Sequence, residues 1–131
     1  MKTSVSIRLF CVAAGFCDGI TGVLLMCVPL WTLHLMGIHT APTEPVYVRF
    51  IGVFVFSVGS SYFFPVVRGD QGSLCAVFGV TTWIRICVAV FVIWAICGGR
   101  LVTPWISVAG VDIVLALLQI WILMRIRRYR G

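Results

Sequence analysis

Residues 7–33 read IRLFCVAAGFCDGITGVLLMCVPLWTL, and the reading of this stretch decides the fold. A membrane-spanning helix needs about 20 consecutive apolar residues, and here only Arg8, at the mouth, and Asp18 carry charge. Asp18 lies about eleven residues inside. At ~1.5 Å per helical residue that is roughly 16 Å, near the centre of a ~30 Å hydrocarbon layer. Helical phasing puts Gly15, Asp18, Gly19 and Gly22 on one face, at i, i+3, i+4 and i+7. A costly charge therefore sits on a face small enough for another helix to touch.

Three further apolar runs follow, each with one internal charge. The predicted helices cover about 7–33, 46–67, 73–97 and 104–124, with Arg49, Arg85 and Asp112 inside the later three. The expected fold is all-α: a single transmembrane domain, 1–131, built as an antiparallel up-down four-helix bundle. Composition agrees. Mean hydropathy is +1.11, 61% of residues are hydrophobic and 11% are charged, against about 25% charged in soluble domains. No stretch outside the runs is long enough to fold alone. The net charge of +6 does not point to nucleic acid, because Arg125, Arg127, Arg128 and Arg130 crowd the end of the last run. Such clusters set topology and meet anionic lipid head groups.

The punctuation fits four spans. Pro29 falls in the last turns of the first helix, where lipid tolerates a kink. Gly37, Pro42 and Pro45 break the longest loop, Arg68–Gly69–Asp70–Gln71–Gly72 makes a short turn, and Gly98–Gly99–Arg100 ends the third helix. Pro104 suits the first turn of the fourth. Lys2, Arg8 and the run Leu9–Cys17 mimic a signal peptide, but Asp18 interrupts it and the apolar run resumes, so a retained helix is expected. Phe10 and Phe16 precede Cys11 and Cys17, which excludes a lipobox. The six cysteines are dispersed without a C-x-x-C pair and read as small packing residues. Cys27 and Cys97 lie at similar depth and are the pair that could bridge, but no stable disulfide is expected from thiols dispersed through helices. No internal repeat is evident.

The intramembrane charges balance to zero. Asp18 and Arg85 both lie near mid-depth, and Arg49 and Asp112 both lie toward the far side. Depth matching predicts the pairs Asp18–Arg85 and Arg49–Asp112, joined into one network by Thr82 and Gln119. The pairs could simply hold the bundle in register, or an acid could titrate in a polar cavity; full pairing disfavours proton carriage. Gly15, Gly19 and Gly22 in the first helix, and Gly52 and Gly59 in the second, are the expected packing positions. His34 and His39 flank a wet loop with Glu44 nearby and read as interfacial residues rather than cofactor ligands. No catalytic set, metal site or nucleotide motif is found.

Gly15-x-x-Asp18-Gly19, Pro29 before the long loop, and Arg49-Phe50-Ile51-Gly52 opening the second helix resemble the DoxX-like group of small bacterial four-helix membrane proteins. The resemblance spans most of the chain. It implies a bacterial inner-membrane location and, by analogy with some relatives, a link to quinone-dependent redox assemblies. The expected role is a non-catalytic accessory subunit of a larger redox or photosynthetic membrane complex. It would have no cofactor of its own beyond bound lipid or quinone, and its partners would be other membrane subunits or further copies of itself. The rival readings are a small proton-coupled exporter acting as an oligomer through Asp18, and a quinone- or lipid-linked redox component.

Arginine asymmetry sets the orientation. Lys2, Arg8, Arg68 and the four tail arginines fall on one side, against Arg100 and Arg49 on the other. The aromatic belts agree, with Trp31, Tyr47, Trp94 and Trp105 at one level and Tyr62, Trp121 and Tyr129 at the other. Both termini are expected in the cytoplasm. Reporter fusions after Gly131 and at Thr40 should therefore report opposite sides; the same side for both would sink the four-span reading.

Overall fold

The structure, a computed structural model, describes residues 5–40 and 43–128. Lys2, Pro42, Tyr129 and Arg130, assigned above to topology, a loop break and the basic tail, lie outside the described residues. Among these residues all regular structure is helical, with no strand. The order is α1 (Val5–Cys27), α2 (Pro29–Leu35), α3 (Pro45–Ser61), α4 (Phe63–Arg68), α5 (Gln71–Cys97), a 3-10 turn (Thr103–Trp105) and α6 (Ile106–Arg128). Four stretches, Val5–Cys27, Pro45–Arg68, Gln71–Cys97 and Thr103–Arg128, are helical, long and apolar enough to cross a membrane.

Proline explains both interruptions. Pro29 has no N–H, so the Leu25 carbonyl loses its helical donor and the chain bends at Val28, with φ −132° and ψ 60°. The Val28 carbonyl then receives both the Thr32 N–H (3.0 Å) and the Thr32 hydroxyl (2.9 Å). The single helix expected over 7–33 is thus α1 followed by the short α2. Pro65 acts likewise, removing the donor that the Ser61 carbonyl would accept. The backbone tightens at Tyr62, whose N–H reaches Gly59 O at 3.3 Å, and α4 starts afresh. At the other end of the chain the last helix continues past Met124. Arg125, Arg127 and Arg128 occupy its final turn, where cations suit the negative end of the helix dipole.

The chain divides into two compact units, Met1–Asp70 and Gln71–Gly131. In the first, α1 and α3 run antiparallel and touch backbone to backbone. Gly15 and Gly22 lie seven residues apart on α1, and Gly52 and Gly59 seven apart on α3. Gly15 meets Gly59 and Gly22 meets Gly52. A Cβ added at Gly22 would come within 2.5 Å of Phe56 N and 2.7 Å of Gly52 O, and one at Gly59 within 2.6 Å of Gly19 N. Only hydrogen fits at these points. A spacing of seven keeps the small residues in one seam between helices. Gly19 behaves differently: its backbone nitrogen lies under Gly59, but a Cβ built on Gly19 meets nothing within 4 Å. The close contact therefore follows Gly15 and Gly22, not the Gly15-x-x-x-Gly19 pair. Arg8 closes the far end by donating to the Val66 carbonyl, in the last turn of α4, at 3.0 Å.

The second unit packs α5 on α6. Ala89 and Val92 meet Ala109, with Val88, Ile96 and Trp105 around them. Large apolar side chains remain exposed on all four long helices, among them Phe16, Phe54, Trp83 and Leu117. The six cysteines carry free thiols, and Cys27 and Cys97 are both exposed.

These contacts separate two glycines that look alike in sequence. Gly22→Ala forces α1 and α3 apart, and overpacking of this kind costs about 1–3 kcal/mol. Gly19→Ala meets no atom, so the helix-propensity gain, up to about 1 kcal/mol, decides its sign. Resistance to SDS unfolding should fall in Gly22→Ala and hold or rise in Gly19→Ala. Equal loss in both would refute the seven-residue seam.

Candidate functional site

The polar side chains of the second unit gather between α5 and α6. Along α5, Phe78, Thr81, Thr82, Arg85, Ala89 and Val92 are buried. Their spacing of three and four keeps them on one face. Along α6, Ala109, Ala116 and Gln119 are buried and Asp112 lies in the same stripe. The small residues Ala89, Ala109 and Ala116 let the helices approach, and the longer polar side chains bridge the gap.

Arg85 Nη1 donates to Asp112 Oδ1 at 2.6 Å, and the two side chains are only 4% and 14% exposed. This is a short, charge-assisted bond in a place where either charge alone would be costly. Further along the helices, Gln119 is fully buried. Its Nε2 donates to Thr81 Oγ1 at 3.0 Å, and its Oε1 accepts from Thr82 Oγ1 at 2.9 Å. The Thr81 hydroxyl passes its own proton to the Val77 carbonyl at 2.8 Å. One amide thus engages two adjacent threonines, and its orientation follows from the donor each hydroxyl must use.

Depth matching assigns Asp112 to Arg49; the structure gives it Arg85 as a partner. Arg49 is exposed in the first turns of α3. An arginine side chain reaches about as far as one 5.4 Å helical turn, so depth alone cannot choose between candidates, and the adjacency of α5 and α6 does. Asp18, in the first unit, is 8% exposed. Its Cβ lies 2.9 Å from where a Cβ on Gly59 would stand, so the missing side chain at Gly59 makes its room. Asp18 is not without an interaction partner. Thr82 and Gln119 do meet, and Thr81 joins them.

Sequence reading singled out Thr82 but not Thr81; the adjacent hydroxyls were the available signal. His34 and His39, expected as interfacial residues, have their Nδ1 atoms 3.1 Å apart. Gly37 followed by the apolar Ile38 was the signal there, because that pattern ends a helix by folding the chain back. Among the described residues, no group of three or more His, Cys, Asp or Glu side chains converges as a metal site.

What the α5–α6 arrangement does chemically is hold opposite charges and directed hydrogen bonds at fixed positions along two helices. Removing one member of a buried ion pair costs about 3–5 kcal/mol in soluble proteins. Arg85→Gln and Asp112→Asn should each lower resistance to unfolding. In the double variant the combined loss should fall short of the sum by about 0.5–3 kcal/mol. Simple additivity in this cycle, read by SDS or thermal unfolding in detergent, would show that the pair is not coupled. No protein-family model, curated protein or solved structure matches the chain.

Proposed function

We propose that this chain is a non-catalytic accessory subunit of a larger bacterial inner-membrane complex, redox or photosynthetic in kind, with both termini cytoplasmic. One observation carries the reading. The polar side chains between α5 and α6 satisfy one another, through Arg85–Asp112 and Thr81–Gln119–Thr82, while bulky apolar side chains are exposed along every long helix. Internal polar groups tied to each other serve register, and apolar flanks serve lipid and neighbouring helices. The resemblance to the DoxX-like group, carried by Gly15-x-x-Asp18-Gly19, Pro29 and Arg49-Phe50-Ile51-Gly52, supports the bacterial inner-membrane setting. An apolar groove on the second unit, with Ile86, Val90, Ile113 and Leu117 in its walls, suits an acyl or isoprenoid chain, and so a lipid or quinone.

Gentle solubilisation of the native membrane, followed by native electrophoresis and mass spectrometry, tests the role. A defined set of co-migrating membrane subunits, retained in Asp18→Asn, is the expected result. Migration alone or as a homo-oligomer, with proton-coupled efflux abolished by Asp18→Asn, would replace the proposal with the exporter reading.

A further inference from the structure

The end of α2 is built in a way that brings two histidines together. Gly37 has a φ of 76°, a left-handed conformation open to glycine. The Gly37 N–H bonds to the His34 carbonyl at 3.0 Å and the Ile38 N–H to the Leu33 carbonyl at 2.9 Å. These are the two bonds of the Schellman helix terminator. Its usual apolar partners are here as well, since Leu33 is 2% and Ile38 3% exposed. The backbone reverses at a fixed angle, Ile38 anchors it, and His39 folds back onto His34 in the last turn of α2.

We propose that His34 and His39 bind a late first-row divalent metal ion through their Nδ1 atoms. The Nδ1 atoms are 3.1 Å apart. An ion held ~2.05 Å from both would subtend about 98°, between octahedral and tetrahedral angles. The ring centroids would then stand about 4.8 Å apart, whereas a straight N–H···N bond would hold them about 5.4 Å apart. They stand 4.5 Å apart, with the rings inclined at 68°. At that separation the two rings are tilted off a straight N–H···N line, with both Nδ1 atoms turned toward the same small gap. Neutral imidazole suits copper, nickel and zinc, with copper(II) the tightest by the general affinity order.

Without an ion, one Nδ1 carries a proton and the other accepts it. With an ion, both rings are Nε2–H tautomers, so a proton moves within one neutral ring and none is released. Both side chains are exposed, so the remaining coordination positions stay open to water or to a group brought by another molecule. Because the Schellman turn already sets the approach, little ordering cost remains on binding.

The full chain, purified in detergent with a tag free of histidine and with its thiols alkylated beforehand, is titrated with copper(II). One ion per chain, with electron paramagnetic resonance showing coupling to two nitrogens, is the expected result. Loss of an outer-shell partner alone weakens metal sites roughly 10–100-fold, so His34→Ala and His39→Ala should each exceed about 100-fold. Gly37→Val keeps both ligands and disturbs only the turn, and should also weaken binding. Circular dichroism checks that each variant stays helical; should His39→Ala lose its fold, His39→Gln takes its place. Wild-type affinity in either histidine variant, or coupling to fewer than two nitrogens, would overturn the proposal.

Discussion

In hydrocarbon, a polar group has no water to turn to, and that constraint shapes how the long helices place their buried polar side chains. Asp112 meets Arg85 at 2.6 Å. Gln119, with no exposed surface, is taken by two threonines. Thr21, Ser57 and Ser60, which face outward, return their hydroxyls to carbonyls one turn back in their own helices. The backbone obeys the same rule at its breaks. At the end of α4 the Val66 carbonyl receives Arg8. An apolar medium makes each such partner worth keeping.

The two units hold their helix pairs by different means. The first removes side chains: with only hydrogen at Gly15, Gly22, Gly52 and Gly59, the backbones of α1 and α3 come into direct contact and dispersion acts over many close atoms. The second keeps side chains and joins them, using a charge pair at one level and an amide–hydroxyl chain at another. Steric closeness resists any added atom. A polar ladder resists sliding, because a shift of one turn would part Gln119 from Thr81 and Thr82. The first device tolerates no bulk; the second tolerates no change of register.

The histidine pair obeys a third logic. Its geometry owes nothing to helix–helix packing and comes from a helix terminator of six residues. Glycine at the left-handed position and an apolar residue after it are enough to reverse the chain. The end of α2 and the residues that follow it thereby carry an ordered pair of nitrogens just beyond the apolar stretch.

Much of this was legible from the residues. Apolar runs of sufficient length, separated by Gly and Pro, determine four helices, because helix length and hydropathy are properties of a single segment. Gly15, Gly22, Gly52 and Gly59 could be named as packing positions, since only a small residue leaves a helix face open. Pro29 marks where the first run bends, although the chain restarts there as a separate helix; the second restart, at Phe63, comes inside a run expected as one helix. Partners were another matter. Which arginine meets Asp112 and whether Gly19 or Gly22 is the crowded glycine were decided by tertiary structure alone. Each of these depends on the rotation of one helix about its axis or on one turn of backbone. A few ångströms there exchange one neighbour for the next, while the hydrophobic pattern along the chain stays the same.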